Sequence, residues 1–422
     1  MGPLSRCTSP GDEIANGILF PTVLSAINVA AVKVYGEAEF WFSTGKITLI
    51  FMMFFFTFVT MVGGNPQHDA YGFRYWNNPG SFAEYITKGS LGRFEGLLGA
   101  VWSAGFTECG PEYISIIAGE AQYPRKYMKR AFTTTYWRFG IFYIGGALCI
   151  GIILPYTNPK VVAVATGESS SSTGAASPYV IAMTNMGVSV LPHITNALLL
   201  TSIFSAGNAY VFCASRSLYT LADNGHAPRF FTKCTKSGVP IYSLLVTVAF
   251  SFLSFLCVSN GSAQALTWLS NIVTGAQIID YVIMSIVYLH FYYACNSQGL
   301  DRKTLPYCGW AQPYCGYIGL VWMTFVVCTY GYPNFLPGRW SISDFFTHYA
   351  MIFVNVVAYA AWKLLKRTKH IKPHEADLVW ERPSIDAYEA AFLETHKSSH
   401  LWVEILDFLR LRKKASVKGD NS

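Results

Sequence analysis

The stretch Phe106-Thr-Glu-Cys-Gly-Pro-Glu112 stands in the middle of an apolar segment that runs from about Leu97 to Ala118. A helix needs roughly 20 mostly apolar residues to cross a bilayer, and this segment is long enough. Pro111 has no backbone N–H to donate, and Gly110 tolerates backbone conformations that other residues avoid. The sequence therefore predicts a membrane-spanning helix that is interrupted near its centre.

Glu108 makes this interruption a candidate functional site. A carboxylate at such a depth costs on the order of 3 kcal/mol on insertion scales, so it is retained mainly where it has a function. Backbone groups freed by a break are tolerated only where protein or a wet cavity satisfies them. Many secondary transporters bind small charged substrates at a broken helix of this kind. The alternative is a kinked helix in which Glu108 is a satisfied packing residue.

The composition of the whole chain is that of a membrane protein. Hydrophobic residues make up 52% and charged residues 13% of the 422 residues, whereas soluble domains average roughly 25% charged. A 19-residue window gives nine candidate spans, so we expect an all-α polytopic membrane protein. Their centres fall near Thr22, Phe54, Glu108, Gly145, Thr201, Thr247, Asp280, Thr324 and Asn355.

We expect three regions along the chain: a polar N-terminus at 1–13, a partial transmembrane domain at 14–366 and a tail at 367–422. The net charge of +7 is concentrated after the third, fifth, seventh and ninth spans. By the positive-inside rule these loops and the C-terminus are cytosolic. These basic residues include Arg125, Lys126, Lys129, Arg130, Arg216, Arg229, Lys233, Arg302, Lys303, Lys363, Lys366 and Arg367.

Other classes of function find little support in the sequence. The ten cysteines show neither a CxxC pair nor metal-ligand spacing, and we find no nucleophile–base set, phosphate loop or metal cluster. We therefore expect no enzyme activity, no cofactor, no metal and no nucleic-acid partner. The tail segment Leu401–Leu411 has apolar residues at helical spacing beside basic ones, which predicts a helix on an anionic leaflet or on the protein's own cytoplasmic face.

Several short motifs follow one another over almost the whole chain. They are Val32-Lys-Val-Tyr-Gly-Glu-Ala-Glu-Phe-Trp41, Gly63-Gly-Asn-Pro-Gln-His-Asp69, Gly110-Pro-Glu-Tyr113, Ala118-Gly-Glu-Ala121, Ser205-Ala-Gly-Asn-Ala-Tyr210, Ala222-Asp-Asn-Gly-His-Ala-Pro228 and Ile385-Asp-Ala-Tyr-Glu389. In their order and spacing they resemble the yeast and fungal amino acid permeases, a branch of the amino acid–polyamine–organocation superfamily.

The resemblance implies a transporter fold of twelve spans, in which a five-helix repeat is followed by an inverted copy and two further helices. The match begins at what corresponds to the family's fourth span. We therefore expect about nine of the twelve spans, with the broken helix as the sixth. The implied function is proton-coupled uptake of amino acids at the plasma membrane.

In such a permease the broken helix would bind the substrate's α-carboxylate and α-amino group with free backbone groups. Half-helix N-termini suit an anion, and exposed carbonyls suit an ammonium group. Phe106 is either a side-chain contact or a core aromatic, and Glu108 would bind a cation or carry a proton. The implied substrate-binding residues are Ala104, Gly105, Phe106, Thr107, Glu108, Cys109, Gly110, Ser205 and Asn208.

Lys46 is the second candidate for proton coupling, because proton-coupled relatives carry a lysine at this point of their fifth span. A buried lysine can release its proton in one transporter state. The alternative is a lysine that snorkels to the interface. Glu112 is interpreted as structural, and Glu120 with Arg125 as part of a charge cluster at the cytoplasmic gate, or else as a solvated loop.

The expected partners are an amino acid, protons, membrane lipid and cytosolic regulators of the tail. Two other functions remain open from the sequence. One is a receptor-like permease that senses amino acids without moving them. The other is a non-transporting fragment that associates with a longer relative.

Overall fold

The computed structural model describes residues 22–23, 25–29, 32–107, 110–121, 123–165, 177–253 and 262–395. These residues form helices joined by loops and short 3₁₀ or π turns. The helices are α1 (Val32–Met61), α2 (Gly89–Thr107), α3 (Tyr113–Ile117), α4 (Pro124–Ile153, with a π segment at Phe139–Ile144), α5 (Pro159–Ala165), α6 (Pro178–Asn185), α7 (Leu191–Asp223), α8 (Ile241–Ser251), α9 (Ser262–Ser297), α10 (Tyr314–Thr329), α11 (Ile342–Lys366) and α12 (Arg382–Thr395).

Within the described residues, five helices are long and apolar enough to cross a membrane. These are Tyr35–Met61 of α1, Pro124–Ile153, Leu191–Asp223, Thr267–Ser297 of α9 and Ile342–Lys366. Two shorter apolar helices, α8 and α10, accompany them. The chain is thus an all-helical polytopic membrane protein. The span centres predicted from the sequence all fall within helices except Glu108, which lies outside the described residues.

The interruption of the helix around residue 110 is present in the structure. Helix α2 ends at Thr107, and α3 begins only at Tyr113. Between them Gly110 has φ +121°, a conformation that favours glycine because it has no Cβ. The chain turns back into a helix when the Tyr113 N–H donates to the Gly110 carbonyl at 3.0 Å.

Two groups of helices organise the bundle. Helix α1 packs on α7 and on α4, and α6 packs on α4 and α7. Helix α9 packs on α10, α11 and α2. An apolar core lies where the second half of α1 meets α4 and α6, and it includes Met53, Phe56, Ile152, Ile153 and Met183.

The first part of the tail docks against the end of the bundle where α4 begins. The Arg125 N–H donates to Glu389 Oε1 at 3.0 Å, and its guanidinium pairs with Asp386 and Glu389. Glu389 is only 6% exposed. Gln298 of α9 also donates to the tail carbonyls of Pro373 and Ala376. The amphipathic segment predicted at 401–411 lies outside the described residues.

Candidate functional site

Helix α7 carries a buried polar face that begins with a three-membered network. Lys46 Nζ donates to Ser205 Oγ at 2.6 Å, and the Ser205 hydroxyl donates to Glu39 Oε1 at 2.6 Å. Lys46 also lies 3.3 Å from Glu39 Oε1. Ser205 is fully buried, whereas the side chains of Lys46 and Glu39 keep 35% and 24% exposure. The lysine and the acid lie seven residues apart on α1, which is two helical turns, so both side chains face α7.

The network leaves one atom for further chemistry. Glu39 Oε2 is buried and has no hydrogen-bond partner among the described residues. A buried acceptor of this kind is costly unless water, a ligand or a proton satisfies it. Lys46 could give a proton to the Ser205 hydroxyl while Ser205 gives its own proton to Glu39. This transfer would convert the ion pair into a neutral pair while the three side chains stay in place.

One turn further along α7, Asn208 is also fully buried. Its Oδ1 accepts a hydrogen bond of 2.8 Å from Asn28 Nδ2. Asn28 belongs to the described helical residues 25–29 that precede α1. Residues three apart on a helix share a face, so Ser205 and Asn208 present two polar groups to neighbouring segments that come earlier in the chain.

The polar face ends at an ion pair near the break. Arg216 Nε donates to Glu120 Oε1 at 3.0 Å, and the Arg216 side chain is only 8% exposed. Its guanidinium lies 3.8 Å from the centroid of the Phe212 ring, within the range of a cation–π contact. Phe212 in turn stacks on Tyr35 of α1 at 4.1 Å. The expected grouping of Glu120 with Arg125 is therefore corrected: Glu120 pairs with Arg216, and Arg125 pairs with the tail, because α7 and α12 bring these groups together.

The residues before the break face a different part of the bundle. Ala104 and Gly105 line a cavity of about 170 Å³ with Ile278 and Tyr281 of α9 and Trp322 of α10. A Cβ on Gly105 would lie 3.2 Å from Ile278 Cδ1, so glycine permits the close approach of α2 to α9. Thr107 donates to the Ser103 carbonyl at 3.4 Å.

The residues after the break adjoin a larger cavity. Tyr113, Tyr210, Cys213, Ser217 and Ser270 are among the residues that line an open space of about 560 Å³ between α3, α7 and α9. Tyr113 also contacts Tyr210 edge to face at 5.8 Å. This cavity is large enough for a small organic molecule, since ligand pockets typically measure about 300–1,000 Å³.

Glu112 connects the break to α9. The Tyr281 hydroxyl donates to Glu112 Oε2 at 3.0 Å, as the structural interpretation of this residue expects. Glu112 Oε1 is buried without a hydrogen-bond partner in the described part of the chain. A second acceptor thus faces the region of the break.

The structure brings together only some of the predicted site residues. Lys46 and Ser205 are in direct contact, whereas Asn208 bonds to Asn28. Glu108, Cys109 and the side chain of Phe106 lie outside the described residues. Within the described ranges, no group of three or more His, Cys, Asp or Glu side chains is arranged to hold a metal ion.

Sequence reasoning assigned no role to Glu39, Asn28 or Tyr281, and it placed Arg216 in a cytosolic loop, whereas Arg216 is buried within α7. Only Glu39 carried a usable signal, because its spacing of seven residues places it on the same helix face as Lys46. The other contacts join residues that are far apart in the chain, and a hydropathy profile does not predict which distant residues meet.

The long apolar helices, the interruption between Thr107 and Tyr113 and the partly buried charged network together describe an integral membrane protein that contains an interrupted helix. The sequence model of the amino acid permease family matches residues 7–374. The chain belongs to this family.

The most similar relatives include the general amino acid permease AGP2 of Saccharomyces cerevisiae, which is 42% identical over 372 residues, or 86% of this chain and 62% of that protein. The dicarboxylic amino acid permease of the same yeast is 36% identical over 87% of this chain and 61% of its own length. The proline-specific permease of Emericella nidulans is 38% identical over 86% and 66%, respectively. The chain thus spans less than two thirds of the length of these relatives.

Proposed function

We propose that this protein moves amino acids across a membrane by alternating access, coupled to protons, as secondary uptake at the plasma membrane. Membership of the amino acid permease family supports this proposal. The relatives are named for different amino acids at similar identity, so we propose the class of substrate and leave its side chain open. We further propose that the chain contributes about nine spans of a twelve-span inverted-repeat fold, with the C-terminus in the cytosol.

The observation that carries the coupling proposal is the network of Lys46, Ser205 and Glu39. Ser205 accepts from the lysine and donates to the acid, so its hydroxyl can pass a proton between them. Burial disfavours charged side chains more than neutral ones. Loss of water from the site would therefore favour the neutral Lys46–Glu39 pair, and entry of water would favour the ion pair. A rotation of α1 against α7 would expose or cover this pair and thereby link the proton to the transport cycle.

For the substrate, we propose a position at the break. Helix α2 ends at Thr107, Gly110 has φ +121°, and α3 begins at Tyr113. The backbone groups freed there, with Ala104 and Gly105 before them, would bind the α-carboxylate and α-amino group. Ser205 and Asn208 would form the polar wall of this site.

The test is uptake of a labelled amino acid mixture at pH 5 and pH 7.5 in permease-deleted yeast that express the chain. We expect uptake that rises at low pH. Lys46→Met and Glu39→Gln should each reduce accumulation at least tenfold without loss of protein from the membrane, because each removes one end of the proton path. Glu37→Gln is the matched control, since Glu37 is exposed on the same helix.

Glu108 is tested in the same assay. Glu108→Gln should abolish concentrative uptake if this acid carries a proton or holds a cationic group. It should leave uptake intact if the acid is a satisfied packing residue.

Unchanged proton-driven uptake in both the Lys46 and Glu39 variants would overturn the coupling proposal. If the chain gives no uptake at either pH despite verified surface expression, transport by this length of chain is refuted. The variants would then be compared in a chimera that carries the N-terminal part of the AGP2 relative before residue 1.

A further inference from the structure

A cavity with charged lining residues lies at the end of the bundle opposite the docked tail, away from the α7 network. This space, here called the outer cavity, has a volume of about 360 Å³. It is an open cavity that is lined by the loop before α2, helix α2, the α10–α11 loop and the first turns of α11. The lining residues include Tyr85, Trp102, Asn334, Arg339, Asp344 and His348. By the positive-inside expectation, this end faces the outside of the cell.

The wall of the outer cavity is held in one shape by its own hydrogen bonds. The buried Asn334 side chain donates to the Ser341 carbonyl at 3.1 Å and accepts from the Ser341 N–H at 2.8 Å. Ser341 Oγ then accepts from the Asp344 N–H at 3.3 Å and caps α11. The loop between α10 and α11 is therefore pre-organised, which lowers the entropic cost of binding a ligand.

His348 is fixed from the same helix turn. Its Nδ1 lies 2.6 Å from the Asp344 carbonyl and donates to it, and its ring contacts the Tyr330 ring at 4.9 Å. This bond leaves Nε2 as the ring nitrogen that can contact a ligand. Trp102 closes the floor, where it is 8% exposed and its indole N–H donates to Thr329 Oγ1 at 3.4 Å.

The outer cavity carries one positive and one negative side chain that do not neutralise each other. Among the described residues, Arg339 and Asp344 form no salt bridge, either together or with another side chain. By contrast, Arg74 and Asp69, in another loop, form a direct pair at 2.6 Å.

We propose that the outer cavity binds a zwitterionic α-amino acid at a site separate from the helix break. The planar Arg339 guanidinium suits the α-carboxylate, which it can bind through two parallel hydrogen bonds. The Asp344 carboxylate takes the α-ammonium group, and His348 Nε2 adds a third polar contact. The aromatic side chains of Tyr85 and Trp102 pack against an apolar side chain of the ligand.

The two separated charges distinguish this ligand from simpler ones. A ligand with only a negative charge would pair with Arg339 but would be repelled by the Asp344 carboxylate. A ligand with only a positive charge would pair with Asp344 but would be repelled by the Arg339 guanidinium. A zwitterion satisfies both groups at once, and its apolar part uses the aromatic wall. The outer cavity also falls within the usual volume range of small-molecule sites.

The experiment is photolabelling of the purified 422-residue chain in nanodiscs with L-photoleucine, a leucine analogue that carries a diazirine. Mass mapping of the adducts reports where the ligand sits and does not depend on transport. We expect adducts in the peptides around Tyr85, Trp102 and residues 331–348. Excess leucine should remove them, whereas isovalerate and isopentylamine, which carry one charge each, should not.

Arg339→Gln and Asp344→Asn should each lower labelling of these peptides at least tenfold, and Arg339→Lys should retain part of it. Both residues are exposed, so the variants should fold, and size-exclusion chromatography checks this. Arg93→Gln, an exposed arginine on α2, should label like the wild type. The proposal is overturned if these peptides are not labelled, if both charge variants label normally, or if isovalerate alone competes as well as leucine, which would mark an anion site.

Discussion

The two halves of helix α1 are held in place in opposite ways. In the first half, Tyr35, Glu39 and Lys46 meet the polar face of α7 through hydrogen bonds and a stacked ring pair. In the second half, Met53 and Phe56 pack into an apolar core with α4 and α6. One helix thus joins a region of directional, charged contacts to a region of close packing.

This difference in contacts indicates which half of α1 can respond to protonation. Apolar packing depends on shape and does not change with protonation. A buried ion pair depends on one particular partner, and removal of that partner leaves a charge without compensation. The buried hydroxyls of the second half have uncharged partners: Thr57 donates to the Met53 carbonyl at 2.9 Å, and Thr60 bonds to the Phe56 carbonyl at 2.8 Å and to the Tyr71 hydroxyl at 2.7 Å. We infer that the second half is the support and the first half the responsive part.

The largest expected loss of stability comes from breaking the ion pair between Glu120 and Arg216 of α7. Glu120→Ala leaves the Arg216 guanidinium without its carboxylate, and Arg216 is 8% exposed. We expect a loss of about 3 kcal/mol in the free energy of unfolding, at the low end for buried pairs because Glu120 is partly exposed. Thermal unfolding of the detergent-purified protein measures this loss.

The control for this ion pair is the double variant Glu120→Ala with Arg216→Met. It should be more stable than Glu120→Ala alone, because no buried charge remains unpaired. A double variant that is no more stable than the single one would show that the pair does not hold the polar end together.

A smaller effect is expected from the apolar half. Ile153 is 2% exposed within the core, and Ile153→Val should cost about 1 kcal/mol because it leaves a small cavity. Ile144→Val on the same helix is the matched control, since Ile144 is 72% exposed. The dependence of uptake on pH should be the same in both variants. A changed pH dependence in Ile153→Val would contradict the division of roles within α1.

The smallest effect is expected from an exposed ion pair in the loop after α1. Arg74 donates to Asp69 at 2.6 and 2.8 Å, and this hydrogen-bonded partner holds the pKa of Asp69 below its usual value. The contribution to stability is therefore present above the unfolded pKa of about 3.9 and is lost as the pH falls through the lower native value.

Arg74→Gln tests this contribution. Its melting temperature should be slightly below that of the wild type at pH 7, because exposed pairs contribute little. The difference should begin to shrink below about pH 4, where Asp69 becomes protonated in the unfolded protein, and should vanish only once the pH lies below the lower native pKa. A difference that persists at low pH would mean that Arg74 acts by packing rather than by charge.

The sequence by itself determined the membrane class, the approximate positions of the helices and the interruption between Thr107 and Tyr113. These features follow from local properties: hydropathy over a window, the missing N–H of Pro111 and the conformational freedom of Gly110. The family resemblance also indicated Lys46 as a proton-coupling residue and Ser205 as a substrate-binding residue, but it did not predict that the two are in contact.

Only the tertiary structure decided which polar groups meet. Lys46 bonds to Ser205 across 159 residues, and Arg125 bonds to Glu389 across 264 residues. Such contacts depend on how each helix is rotated about its axis and on which neighbour it packs against, and neither is encoded in local hydropathy. The outer cavity arises in the same way, because Trp102 of α2 and His348 of α11 line it together although they are far apart in the chain.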